Sequence, residues 1–191
     1  MALDAILNAQ TDLANSAITI DPSTGQAEPI RPVRDGSFIT SPLDSTAPFP
    51  HVSKPLLIST VLDEGGPAIF SSFPNPLPQT ALAPIMNFTF GTTRTNTILA
   101  SVFYTASATA DARLQLQQMG TDYIFRCPSW TFARNWVQHG GRAFVGQYAV
   151  GATYPDNAQI PFCTQPGSVC HEDDIEIVVR CTIHLHICPI F

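Results

Sequence analysis

Apolar positions recur with a helical period at the start of the chain. Leu3, Ile6 and Leu7 fall on one face of residues 3–14 and predict a helix there. Residues 16–54 lose that period and read as loop-rich, with a turn at Asp21-Pro22-Ser23-Thr24-Gly25. After Pro55 comes Leu56-Leu57-Ile58-Ser59-Thr60-Val61, an apolar run with no polar face until its end. Such a run suits a strand buried on both sides of a parallel sheet. Residues 67–93 are rich in proline and read as connection. Three helices are then predicted. The first covers about residues 94–106, with Ile98, Leu99, Val102 and Phe103 as its stripe. The second starts at Asp111 as N-cap and stops at Gly120. The third opens around Pro128 and ends at Gly140-Gly141, turning Trp130, Ala133, Trp136 and Val137 to the core. Residues 143–150, Ala-Phe-Val-Gly-Gln-Tyr-Ala-Val, read as a second strand.

Strand, several helices, strand, then a loop is the order of one side of an open α/β sheet. Two strands cannot make a sheet with both faces covered, so the chain is expected to be part of a fold or to pair with something. Composition narrows the partners. Hydrophobic residues make up 45% and charged residues 13%, which excludes a disordered charged tail. Nine Lys and Arg in a chain of net charge -6 provide no basic stripe for phosphates, so nucleic acid is not an expected partner. No apolar run approaches the roughly 20 residues of a membrane span. Met1 to Asn15 lacks the positive and apolar regions of a signal peptide, which leaves localisation open. Five cysteines and the sequon Asn87-Phe88-Thr89 point the other way, toward a secretory ancestry with Asn87 as a glycosylation position.

Two positions carry chemistry. The first strand runs into Leu62-Asp63-Glu64-Gly65-Gly66, where two glycines tighten a turn that holds an acid at the carboxyl edge of the sheet. The loop after the second strand ends in Val169-Cys170-His171-Glu172-Asp173-Asp174. Alone, each reads more readily as an ordinary strand-end turn acid and a surface histidine among acids. Together they follow two strands in the order acid, then histidine, which is the order of those two members in an α/β-hydrolase triad.

Four segments in sequence, Pro32-Val33-Arg34-Asp35-Gly36-Ser37-Phe38, Asp63-Glu64-Gly65, Thr121-Asp122-Tyr123-Ile124-Phe125-Arg126-Cys127-Pro128 and Val169 to Asp174, resemble the C-terminal part of type-B carboxylesterases. That is the family of cholinesterases and fungal carboxylesterases and lipases. The resemblance runs from about Leu3 to about Val178 and implies a partial α/β-hydrolase fold over residues 1–178. Residues 179–191 form a divergent tail that resembles nothing familiar. The resemblance implies Glu64 as the triad acid and His171 as the base; Asp63 is a possible substitute acid, but the resemblance favours Glu64. It implies hydrolysis of small-molecule or lipid esters through an acyl-enzyme, no metal or organic cofactor, and a mostly secreted parentage.

The chain departs from the family in one decisive respect. No serine here has glycine two residues away on both sides, so the Gly-x-Ser-x-Gly elbow is absent. The glycine-rich oxyanion loop is absent as well. Activity is therefore expected to need a missing N-terminal half, and a non-catalytic remnant is the rival reading. A second rival takes Cys163, Cys170, Cys181 and Cys188 with His171, His184 and His186 as zinc ligands. Neither a C-x2-C nor an H-x3-5-H pair supports it. A Cys163–Cys170 disulfide closing the loop before the histidine is the better account, and Cys127 reads as a buried inert thiol or one lacking its partner. After the histidine, residues 174–178 alternate like a strand. The acids at 172–174 suit a helix N-terminus, and the resemblance also implies a helix, which is the reading adopted.

Overall fold

The computed structural model describes residues 3–20, 36–37, 52–104 and 111–179. Two compact units emerge, residues 1–42 and 43–191. In the first, helix α1 covers Leu3–Ile20, longer than its apolar spacing predicts. Its residues 3–16 are exposed, including Leu3, Ile6 and Leu7. Most of the Pro32–Phe38 segment, Cys181, Cys188, His184, His186 and the rest of the 180–191 tail fall outside the described residues.

The second unit is α/β. Strand β1, Pro55–Val61, pairs in parallel with β2, Arg142–Tyr148, from Pro55 opposite Arg142 to Val61 opposite Tyr148. Parallel neighbours need a crossover, and the helices between them supply it. These are α2 (Gly66–Ser72), α3 (Leu82–Leu99), α4 (Arg113–Gly120) and α5 (Cys127–Gln138). A short α6 follows at Ile175–Val179, so the segment after His171 is helical as expected.

Leu82, Met86, Ala112, Leu116 and Met119 form the main core, with Ile69, Phe73 and Leu77 packed against it. The proline-rich stretch thus contains real helix. Its apolar residues at 82, 85 and 86 follow the helical period, and Pro84 sits in the first turn, where a missing N–H costs nothing. Gly91, at φ +72, kinks α3 between Met86 and the predicted 94–106 stripe, of which Ile98 and Leu99 pack against the same core. In that stripe Val102 and Phe103 are exposed instead of buried.

α4 has Ala112 rather than Asp111 as its N-cap and ends at Gly120 as expected, but the helical backbone does not break there. The chain continues through a π-helical turn, Thr121–Arg126, directly into α5. Gly120 keeps helical backbone angles, φ -62 and ψ -44, so the left-handed stop that a glycine offers is not used. On α5 only Ala133 of the four predicted core residues is buried. Trp136 is half-buried and its indole N–H donates to the Lys54 carbonyl, while Trp130 and Val137 are exposed. β1 is not covered on both faces either: Leu57 is 77% exposed, and on β2 Phe144 is 58% exposed. Only the C-terminal end of β1, Thr60 and Val61, is deeply buried, and that is the end that carries the site.

Candidate active site

The turn after β1 is fixed from three directions. Glu64 folds back so that its Oε1 accepts the Val61 N–H at 2.8 Å. The Asp63 N–H donates to the Val169 carbonyl at 2.8 Å, and Asp63 Oδ2 accepts the Val169 N–H at 3.0 Å. Beyond β1, Asp63 thus forms an isolated parallel bridge with Cys170, on the loop that follows β2. From the helical side, Gln117 donates to Asp63 Oδ1 at 3.0 Å and the Gly65 N–H donates to Thr121 Oγ1 at 2.9 Å. The widened i→i+5 turn brings Thr121 and Arg126 toward one face, and the Arg126 guanidinium donates to the Leu62 carbonyl at 3.3 Å.

Gly65 and Gly66 are required by close approach. A Cβ on Gly65 would sit 2.5 Å from the Gln117 carbonyl oxygen. One on Gly66 would meet Cys170 Sγ and the Phe162 ring at 3.0 Å.

The pairing brings His171 onto the acid. His171 Nδ1 lies 2.5 Å from Glu64 Oε2. The carboxylate accepts the ring N–H and thereby fixes the tautomer, leaving Nε2 for another partner. Glu64 is 7% exposed at its side chain and His171 49%, so the acid is interior and the imidazole opens outward. Phe125 contacts the ring, with centroids 5.1 Å apart. The hydrogen bond to Glu64 raises the His171 pKa above the ordinary 6.5, burial opposes it, and the nearby charges of Glu64, Glu172 and Asp174 add to the rise. Asp63 does not share this role, because its oxygens serve Val169 and Gln117.

Cys163 and Cys170 are joined, with Cα atoms 5.6 Å apart, and close the loop that delivers His171. The disulfide is buried with Phe162, against Phe70, Leu114 and Ile160. Both thiols are thereby taken from the zinc reading, and no cluster of three metal-ligating side chains occurs among the described residues. Cys127 is a free thiol and is exposed, contrary to the buried position expected of it.

A sequence model of the carboxylesterase family matches residues 3–187, a span that includes the Asp63–Gly66 turn, the π turn and His171. The chain belongs to the carboxylesterase family. Comparison with curated proteins gives no match. The two residues singled out in the sequence, Glu64 and His171, are brought together in the structure, but the residues that hold them carry no such signal. Thr121 and Gln117 lie in or beside a motif visible in the sequence, yet their partners, Gly65 and Asp63, are more than 50 residues away along the chain. Asp173 and Asn157, both buried, carry no local signal that separates them from neighbouring polar residues. Asn87 lies on α3 and is exposed, so the sequon is accessible on a helix surface.

Among the described residues, Glu172 is the non-glycine residue with positive φ, at +74. Left-handed backbone costs an L-residue about 1–2 kcal/mol, part of which glycine returns as unfolded-state entropy. Glu172→Gly is expected to stabilise the chain by about 0.5–1 kcal/mol, read as a higher urea midpoint at unchanged slope. A lower midpoint would show that the Glu172 side chain contributes more than its backbone costs.

Proposed function

We propose that this chain supplies the acid and the general base of a serine carboxylesterase of the α/β-hydrolase type. The observation that carries the reading is the His171 Nδ1–Glu64 Oε2 contact of 2.5 Å, formed just past the end of β1 beside the Asp63–Cys170 bridge. With Nδ1 committed to a buried carboxylate, Nε2 can take the proton of a serine hydroxyl as the oxygen attacks an ester carbonyl. Glu64 stabilises the imidazolium. The proton then passes from Nε2 to the departing alcohol, and a water deacylates the serine by the same route. Substrates are small-molecule or lipid esters, and nucleic acid is not a partner.

The nucleophile and the oxyanion donors come from an N-terminal half that this sequence does not contain. The exposed apolar faces of Leu57 and Phe144 favour such a neighbour. The test is a p-nitrophenyl ester assay on three proteins: the 191-residue chain, a chimera joining an elbow-bearing carboxylesterase N-terminal half ahead of it, and that chimera with His171→Ala. The chain alone should not exceed background, the chimera should turn over, and the variant should fall back. Turnover by the chain alone that is lost on His171→Ala would mean that another residue serves as nucleophile. An inactive but folded chimera would favour a non-catalytic remnant.

A further inference from the structure

The imidazole of His171 is half exposed, and the contacts its ring shows among the described residues are with Glu64 and the Phe125 ring. So little packing does not by itself hold a ring at 2.5 Å from a carboxylate. The backbone on either side of His171 is gripped instead. Asp173 is 2% exposed and Asn157 4% exposed. The Asp173 carboxylate accepts three donors: the Cys170 N–H at 2.7 Å, the Tyr154 N–H at 2.8 Å and the Asn157 amide at 2.9 Å. Asn157 Nδ2 donates as well to the His171 carbonyl at 2.7 Å. Two backbone bonds complete the turn, Asp173 N–H to the Cys170 carbonyl at 3.0 Å and Ala152 N–H to the Asp173 carbonyl at 2.9 Å. The positive φ of Glu172 reverses the chain so that the carboxylate returns under residue 170. Asn157 stands in a 3-10 turn, Pro155–Gln159, inside the long loop after β2. That loop is therefore tied to the histidine turn by one buried carboxylate and one buried amide.

We infer that Asp173 and Asn157 are positioning residues that set His171 against Glu64 by holding the Cys170 N–H and the His171 carbonyl. Neither side chain touches the imidazole, so their effect passes through the backbone. As regards catalysis, the inference rests on the reading of His171 as the base, but the geometry can be tested without turnover. Buried hydrogen bonds to a carboxylate are strong and lose much when one partner is removed.

The readout is the His171 imidazole titration, followed by NMR in the full 191-residue chain. Groups acting on it are Glu64, Glu172 and Asp174. In the unaltered chain Glu64→Gln should lower the His171 pKa. In Asn157→Ala, and separately in Asp173→Asn, the His171 pKa should already lie nearer 6.5. Adding Glu64→Gln should then shift it by less than half as much. Circular dichroism and the intact Cys163–Cys170 bridge report whether each variant is folded. Folded variants that keep the raised pKa and the full response to Glu64→Gln would overturn the inference. Loss of folding in both would also overturn it, since the pair would then be a stability element. Activity separates this inference from the functional reading. A chimera with His171→Ala that still turns over ends the role of His171 in catalysis, yet leaves the titration result standing.

Discussion

In a chimera completed by an elbow-bearing N-terminal half, Glu64→Gln is expected to lower kcat for a p-nitrophenyl ester by about 10⁴. The substitution keeps shape, and the Val61 N–H can still be accepted by the remaining oxygen. It fails at the other atom. An amide NH₂ facing His171 Nδ1 makes that nitrogen an acceptor and puts the ring proton on Nε2. The base is then in the wrong tautomer to receive the serine proton, and the imidazolium that would follow has lost its counter-charge. His171→Ala should cost a similar factor. The double variant should be no slower than the slower single one, because residues acting as a unit are not additive. A drop below tenfold for Glu64→Gln, or multiplying losses, would mean that the two side chains act separately.

Gly65→Ala is expected to destabilise the chain by about 3 kcal/mol or more, at the upper end of overpacking costs. The added Cβ would lie 2.5 Å from the Gln117 carbonyl oxygen and 3.1 Å from the Thr121 nitrogen. Both are backbone atoms of a helix, so no rotamer change relieves the contact. Either the turn lifts, breaking the Gly65 N–H bond to Thr121, or the helix moves and releases Gln117 from Asp63. Gly146→Ala in β2 is the control, since its Cβ meets nothing within 4 Å and should change stability by less than about 0.5 kcal/mol. Equal urea midpoints for the two variants would contradict the close crossing of the turn and the helix.

Much of the framework was legible because it rests on local rules. The mostly apolar run Leu56–Val61 after Pro55 makes a strand, and its end could be read as a site because an acid and two glycines follow. The disulfide, and the helix after His171, were likewise open to spacing and charge. The misreadings share one cause, which is tertiary context. Gly120 looks like a stop, yet here it continues a helix whose π turn is needed to place Thr121 and Arg126 over the β1 turn. The residues around Pro84 look like connection, but Leu82 and Met86 belong to the main core. Trp130 and Val137 fit the inner face of a helix by period and are exposed, because the surface that would cover them is not supplied by the described residues. Asp173 and Asn157 could not have been read at all, since their partners are backbone groups brought together by a loop with no period of its own.

The central claim is that His171, oriented by Glu64, is the base of an ester hydrolase. The most direct measurement is the pH dependence of kcat/KM for a p-nitrophenyl ester in the chimera, taken beside the NMR titration of His171 in the same protein. That profile reports the ionisation of the free enzyme's essential base. Glu64 raises the His171 pKa, so the neutral, active form should appear only as pH passes a midpoint above 6.5. By the same sign, the stability that the pair contributes is present in full below 6.5 and is lost as pH rises through the folded-state pKa. The account predicts that the kinetic and NMR midpoints coincide and that both move down together in Glu64→Gln. A kinetic midpoint that stays in place while the His171 titration moves would contradict it.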